Sequence, residues 1–374
     1  MKKFIGKAEN ISEPILGIIT RNPLSIMRAN NILVVKDKSL FVRGFAGIIT
    51  QNPDFKNNSL PTIKIPEKTL DELSDGDYVL IDNDGIATII WEKNSRMNPI
   101  LLTEMCDCRC IMCPQPPKKH DKNLIEIAKK ILNSVRIEYN QTICLTGGEP
   151  TLLKEDFFEI LNLISKKHRK SFVMLLTNGK SFADFSFTKH FIASRPKEFI
   201  TCVSIHSDID EIHDMIVGAK GSFYKTAMGL QNLARFRERI EIRVVINSLN
   251  FNRLESIATF IWRNFPFITH CAFMGMEITG LARDNYDSIW IDPYNYRFEL
   301  ARAIDILNRA DINVSAYNIP LCLLEKKSWS FAKQSISEWK NGYIEICDTC
   351  SVKSECAGIF TTSELRQSSH ISPK

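Results

Sequence analysis

The sequence predicts an α/β fold built on parallel strands, preceded by a small β-rich module and followed by a cysteine-rich extension. Three observations carry that expectation. From residue 99 onward strand-like and helix-like runs alternate, the pattern of strands joined by crossover helices. The strand-like runs are almost continuously apolar, as strands covered on both faces are. Two motif-bearing loops, 106–113 and 147–150, follow the first two of these strands at their carboxyl ends, where such folds place their chemistry. Periodicity leaves a barrel and an open doubly wound sheet equally available. The expected divisions are 1–95, 96–310 and 311–374.

Residues 1–95 hold short β-prone runs at 32–35, Leu40-Phe41-Val42, 47–49, 78–81 and 86–91. Asn83-Asp84-Gly85 marks a hairpin between the last two, because Asp-Gly supports the positive φ of a tight turn. No catalytic motif lies in this module, which serves substrate docking or packing. Beyond it, strands are expected at 99–103, 142–145, 172–176, 199–205 and 240–246, and the series closes at 268–276. Helices are expected at 124–135, 157–164, 229–236 and 254–262.

Length and charge narrow the function. A chain of 374 residues suits a large catalytic core with smaller additions. The net charge of +5 is mild and no long basic run occurs, which argues against a nucleic-acid binder. The densest basic stretch, 166–170, ends an apolar helical run and fits a solvated helix terminus. No apolar run approaches the ~20 residues needed to cross a bilayer. Lys2 and Lys3 are not followed by a sustained apolar core, so no secretory signal is read. Eleven cysteines without an export signal point to reduced thiols, metal and the cytoplasm.

The loop Cys106-Asp107-Cys108-Arg109-Cys110-Ile111-Met112-Cys113 runs into Pro114-Gln115-Pro116-Pro117, which cannot continue a helix or a ladder strand. Read as Cys106-x3-Cys110-x2-Cys113, it supplies three thiolates. A four-iron cubane held by three thiolates keeps one iron open for a ligand that is not protein. Cys108 is an extra thiol, and it opens a rival reading as a four-cysteine zinc site. Against zinc, these cysteines are not two separated Cys-x2-Cys pairs.

This spacing resembles the radical S-adenosylmethionine (SAM) superfamily. The resemblance implies an incomplete (β/α)6 barrel and a [4Fe–4S] cluster whose open iron chelates SAM and cleaves it to a 5′-deoxyadenosyl radical. The chain departs from the pattern at Met112, a position usually aromatic; a polarisable thioether can still cover an adenine face. Thr146-Gly147-Gly148-Glu149-Pro150 matches the family's GGEP motif, which implies that Gly147, Gly148 and Glu149 hold the amine of SAM. Taken alone, two glycines are only a turn; one strand after the cysteine loop they are strong. Thr177-Asn178-Gly179 looks like the family's Thr-Asn-Gly turn, placing Asn178 near the nucleoside. Ser204 and His206 resemble positions that touch the ribose, although a hydrogen-bonded core histidine suits His206 better.

Arg243, inside an apolar strand, needs a partner because an unpaired buried charge is costly. The candidates are the methionine carboxylate and an acid of the fold, Glu241 or another at a strand end. His213 and Asp214 are expected on the surface. Cys144, Cys202 and Cys271 lie in strand-like runs and read as inert buried thiols.

Near the carboxyl terminus, Cys347-x2-Cys350-x5-Cys356 with the upstream Cys322 reads as a second metal site, iron–sulfur or structural zinc. In peptide-modifying radical SAM enzymes such an extension commonly holds an auxiliary [4Fe–4S] cluster, and the resemblance favours that over zinc. Leu102-Thr103-Glu104-Met105-Cys106, Cys113-Pro114-Gln115-Pro116-Pro117, Ile319-Pro320-Leu321-Cys322 and the 347–360 segment are similar to the His-Xaa-Ser system radical SAM maturases of the HxsC type. That similarity implies modification of a small ribosomally made peptide, a partner radical SAM protein, and a reductant such as a flavodoxin or ferredoxin. The same chemistry on a small molecule, and a non-catalytic zinc scaffold, are the rival functions.

Overall fold

A computed structural model describes residues 2–36, 43–55, 59–118, 123–137, 141–335, 340–363 and 366–374. The expected run Leu40-Phe41-Val42 lies outside them. Packing divides the chain into two compact units, Met1–Ile100 with Glu126–Cys144, and Leu101–Ile125 with Leu145–Lys374.

The first unit carries strands β1 (Lys3–Ile5), β2 (Lys7–Glu9), β3 (Ile15–Thr20), β4 (Asn31–Val35), β5 (Gly47–Thr50), β6 (Thr62–Lys64), β7 (Tyr78–Ile81) and β8 (Ile86–Trp91). They form one sheet in the order β1-β8-β7-β3-β4-β5-β6-β2. Every residue of β4 is buried. Ile32 and Val34 enter one apolar cluster while Leu33 and Val35 enter another, so the sheet is covered on both faces at its centre. The β7–β8 hairpin is tied by Asp82, whose Oδ1 accepts the Asp84 and Ile86 N–H groups, and Gly85 takes φ +81. A Cβ there would stand 2.3 Å from the Gly6 carbonyl oxygen, so only glycine serves.

A second sheet of eight strands, in sequence order, contains β9 (Met97–Leu101), β10 (Thr142–Thr146), β11 (Phe172–Thr177), β12 (Phe199–Ser204), β13 (Ile240–Val245), β14 (His270–Met274), β15 (Asn313–Tyr317) and β16 (Ala332–Lys333). It is the curled parallel sheet of a partial barrel. Pro99 is accommodated because β9 is the edge strand. The helices are α1 (Leu124–Ser134), α2 (Glu155–Lys167), α3 (Phe185–Ser194), α4 (Asp210–Val217), α5 (Ser222–Arg235) and α6 (Leu254–Asn264). The short α7 (Leu281–Asp284) and α8 (Tyr286–Ile289) and the longer α9 (Arg297–Arg309) complete the set.

The series does not close at residue 276: β15 pairs with β14 and β16 with β15, both in parallel. The helices α3, α4 and α9 were not anticipated. Their apolar stripes are short or broken by charge, as in α9, where Leu300, Ala301, Ala303, Ile304 and Leu307 alone are buried.

Register sorts the two faces of this sheet. Val203 pairs with Ile242, and Ile242 with Cys271, on the face packed under the helices. Cys202 with Glu241, Ser204 with Arg243, and Glu241 with His270 share the other face. The inner face therefore gathers the polar residues that interrupt the almost continuously apolar runs. Among the described residues, no helix is long and apolar enough to cross a membrane.

Candidate active site

The cysteine loop is anchored chiefly by backbone hydrogen bonds, with a few side chains adding to them. Gly148 N–H donates to the Thr103 carbonyl at 2.8 Å and Glu149 N–H to the Met105 carbonyl at 2.7 Å. A Cβ on Gly147 would lie 2.4 Å from the Thr103 oxygen, and one on Gly148 2.1 Å from the Met105 oxygen. The glycine pair thus lets the strand end after β10 lie directly against the loop. From the opposite side, Arg109 and Ile111 N–H groups donate to Val217 and Ile216 carbonyls at the end of α4, 2.9 Å each. Gly218, at φ +61, is required there because a Cβ would sit 2.4 Å from the Arg109 oxygen. The segment after β14 closes the loop's far end: Leu281 N–H donates to the Cys113 carbonyl at 2.9 Å, and Asn285 Nδ2 to the Ile111 carbonyl at 2.8 Å.

Glu149 is buried, and its carboxylate organises the next strand end. Its Oε1 accepts from Thr151 N–H, Thr151 Oγ1 and Thr177 Oγ1, and its Oε2 accepts from Asn178 N–H at 2.6 Å. Burial raises its pKa against these bonds, which hold it down. Asn178 then reaches over the loop, with Nδ2 2.8 Å from Asp107 Oδ1. Lys180 Nζ stands 2.8 Å from Asp107 Oδ2 and donates to the Asp107 carbonyl at 3.1 Å. An Asn178–Asp107–Lys180 clamp therefore crosses the loop, and sequence reading had found only its Asn178.

Among the four thiols, Cys108 is buried and Cys106, Cys110 and Cys113 are half-buried. Burial pushes Cys110 up to about 12 and raises Cys113. A hydrogen bond to Cys108, with burial, raises Cys106, and that same bond lowers Cys108 to about 7. Thiols held protonated in this way ionise when a cation lies against them. Four soft donors on one anchored loop fit an iron–sulfur cluster or zinc. The tightest grouping among the described residues is Cys106 Sγ, an Asp107 carboxylate oxygen and Cys108 Sγ, all within 4.8 Å.

On the inner face, Arg243 Nε lies 2.5 Å from Glu241 Oε1, and Glu241 Oε2 lies 2.7 Å from His270 Nδ1. His270 Nε2 continues to Ser315 Oγ at 2.9 Å. Burial opposes a charge on Glu241, but His270 and Arg243 outweigh it and hold the carboxyl down to about 2. Arg243 thus has Glu241, one of its expected candidates, as an intrastrand partner. Ser204 stands half-buried beside it in register.

His213 corrects an expectation, for it is fully buried. The inward stripe of α4 carries it with Ile216 and Val217, and His213 Nδ1 accepts the His206 N–H at 3.1 Å. His206 is a core histidine, its Nδ1 accepting from Val245 N–H at 3.3 Å. Burial lowers His206 to about 3 and His213 to about 4. Neutral in the fold and basic when unfolded, both take up protons on unfolding below the ordinary value of about 6.5. Stability is expected to be full above that pH and to fall by about 1.4 kcal/mol per pH unit for each histidine as pH drops toward 4. Urea denaturation from about pH 7.5 to 5 checks this; a flat profile contradicts it.

The carboxy-terminal cysteines converge. Cys322, Cys347, Cys350 and Cys356 all line one pocket of about 420 Å³. Cys356 Sγ accepts Leu321 and Gly358 N–H groups at 3.3 and 3.4 Å, and Cys350 Sγ accepts Lys374 N–H at 3.5 Å. Burial pushes Cys322 up. A short antiparallel pair, β17 (Asn341–Gly342) with β18 (Ile359–Phe360), frames one side. Four sulfurs around one cavity with N–H groups aimed at two of them fit a metal centre.

No family model matches the chain. Over 155 residues it is 30% identical to the cysteine-type anaerobic sulfatase-maturating enzyme of Clostridium novyi, covering 39% of this chain and 40% of that protein. Over 156 residues it is 29% identical to the antilisterial bacteriocin subtilosin biosynthesis protein AlbA of Bacillus subtilis, covering 41% of this chain and 33% of that protein. The similarity supports the radical SAM superfamily. The chain spans less than half the length of these curated relatives. Among solved structures, Streptococcus suis SuiB bound to precursor peptide SuiA aligns with a TM-score of 0.49 and 16% identity, covering 60% of this chain and 49% of that one.

Of the residues the fold gathers around this loop, the sequence singles out the cysteines, Gly147, Gly148, Glu149 and Asn178. It does not single out Asp107, Lys180, Gly218, Leu281 and Asn285. Of these, Gly218 alone left a signal, a glycine just past an apolar helical turn; backbone anchoring by Leu281 has no side-chain signature.

Proposed function

We propose that this chain is a radical SAM enzyme that modifies a small ribosomally made peptide, as a maturase of His-Xaa-Ser repeat peptides. The observation that carries the reading is a multi-thiol loop fixed by backbone bonds at the carboxyl ends of parallel strands. Similarity to a sulfatase-maturating enzyme and to a bacteriocin biosynthesis protein supports a peptide substrate. Cys106, Cys110 and Cys113 would hold a [4Fe–4S] cluster, and Gly147, Gly148, Glu149, Asn178, Ser204 and Arg243 would border SAM. Together those cofactors supply a 5′-deoxyadenosyl radical by reductive cleavage of the sulfonium.

The chain's own residues bind, orient and exclude water. Glu149 Oε1 is occupied by three donors, while Oε2 has one and keeps acceptor capacity for an ammonium. Glu241 aims the Arg243 guanidinium, which suits a carboxylate. Asn178 and Lys180 hold the loop across Asp107. Cys322, Cys347, Cys350 and Cys356 would hold an auxiliary [4Fe–4S] cluster, with zinc as the alternative the same sulfurs admit. A partner radical SAM protein, a flavodoxin- or ferredoxin-type reductant and the cytoplasm complete the proposal.

Mass spectrometry of a His-Xaa-Ser repeat peptide, after anaerobic incubation with the reconstituted protein, SAM and dithionite, tests it. A mass change in the peptide is the expected outcome. Release of 5′-deoxyadenosine with the peptide unaltered contradicts the maturase reading and points to a small-molecule substrate.

A further inference from the structure

Beside the carboxy-terminal cysteine pocket lies a second cavity, of about 520 Å³. Its lining includes Ile246, Gly275 and Asn318, the residues just past the carboxyl ends of β13, β14 and β15. Asn318 is only 6% exposed, and neither its Oδ1 nor its Nδ2 has a hydrogen-bond partner. Ser363, 7% exposed and lining the same cavity, has an unpartnered Oγ. A buried polar group left unanswered destabilises the fold. These three atoms belong to two residues that line one cavity, and among the described residues nothing answers them.

The backbone shows that the placement of Asn318 is built. It sits at φ +58, a left-handed conformation that asparagine tolerates. Its N–H donates to the Lys333 carbonyl at 3.1 Å. A Cβ at Gly275 would stand 2.7 Å from the Asn318 backbone carbonyl oxygen, so glycine makes room for this stretch of backbone. A carboxamide offers one acceptor and a pair of donors side by side. In an extended chain the N–H and C=O of one residue point to the same side, as in a hydrogen-bonded strand pair. The two patterns are complementary. Trp290, Tyr296 and Phe360 supply apolar wall for the flanking side chains. Met276, another wall residue, packs with Cys110 and Ile111 against the apolar cluster around Met112, so the cavity adjoins the cysteine loop.

We propose that this cavity binds an extended stretch of substrate backbone, with Asn318 Nδ2 donating to the C=O and Oδ1 accepting from the N–H of a single substrate residue. The proposal rests on the peptide reading above and adds where and how the peptide is gripped.

Calorimetric affinities test it. The probes are a synthetic His-Ala-Ser repeat peptide and analogues N-methylated at one backbone nitrogen at a time, titrated into wild type, Asn318→Asp and Asn318→Gly. Glycine takes φ +58 without strain, so Asn318→Gly removes the side chain alone; an unchanged thermal melt shows each variant folded. Both variants are expected to bind about tenfold more weakly or worse, and one N-methyl position should weaken wild type about tenfold yet add nothing in Asn318→Gly. Variants that bind like wild type, or N-methyl effects that persist in full without the side chain, overturn the proposal and leave the cavity to water. If wild type binds none of these peptides, the peptide reading falls and this inference falls with it.

Discussion

Gly148→Ala is expected to yield a folded protein that no longer retains iron on the 106–113 loop. The added methyl would stand 2.1 Å from the Met105 carbonyl oxygen and 2.6 Å from its carbon. Neither is the movable tip of a side chain. Relief requires the loop to retreat, which breaks the Gly148–Thr103 and Glu149–Met105 hydrogen bonds. Overpacking of this kind costs on the order of 1–3 kcal/mol, and each lost backbone bond adds about 1. The fold can absorb that, because the apolar face under the helices is untouched. The loop cannot, because the proposed cluster needs its thiols to converge on one centre. Iron and sulfide analysis after anaerobic reconstitution, with a thermal melt as control, reads the two effects apart. Full iron retention in Gly148→Ala would mean that the close approach does not position the thiols.

Cys350→Ala is expected to remove the auxiliary centre and leave the other intact. With both clusters present, iron falls from about eight to about four per chain, because each cubane holds four. Cys322→Ala should do the same, since both sulfurs line the one pocket with Cys347 and Cys356. Zinc in that pocket predicts a different result: wild type carries about four iron and about one zinc, and the variants lose only zinc. An unchanged metal content in both variants contradicts a metal centre there. Lys353, paired with Asp348 at 2.6 Å and 5.2 Å from the Tyr343 ring centroid, brings positive charge to the pocket edge. That charge favours an anionic cluster over neutral thiols.

How much of this was legible depends on which force placed each residue. Cysteine spacing and the Gly147-Gly148-Glu149-Pro150 turn announce themselves because their chemistry is local: thiolate count and missing Cβ atoms are sequence properties. The strands from β10 to β14 were legible because their runs are almost continuously apolar. Long-range pairings were not. Arg243 could have met a ligand carboxylate or Glu241, and only register, with His270 behind Glu241, shows what the carboxylate answers. His213 looked polar and therefore exposed, yet α4 turns it inward against His206. The clamp over the loop joins Asp107 to Asn178 across 71 positions in sequence, beyond the reach of any periodicity. Cys322 joins Cys347, Cys350 and Cys356 in sequence only through its thiol and the family resemblance, and in the fold all four line one cavity.

The proposed radical SAM activity turns on whether the three sulfurs of Cys106, Cys110 and Cys113 support cleavage of SAM. The direct measurement is chromatographic quantification of 5′-deoxyadenosine from anaerobically reconstituted protein given SAM and dithionite, for wild type beside Cys110→Ala. Release by wild type and none by Cys110→Ala is the predicted result. Silence from wild type, or equal release from the variant, would contradict it.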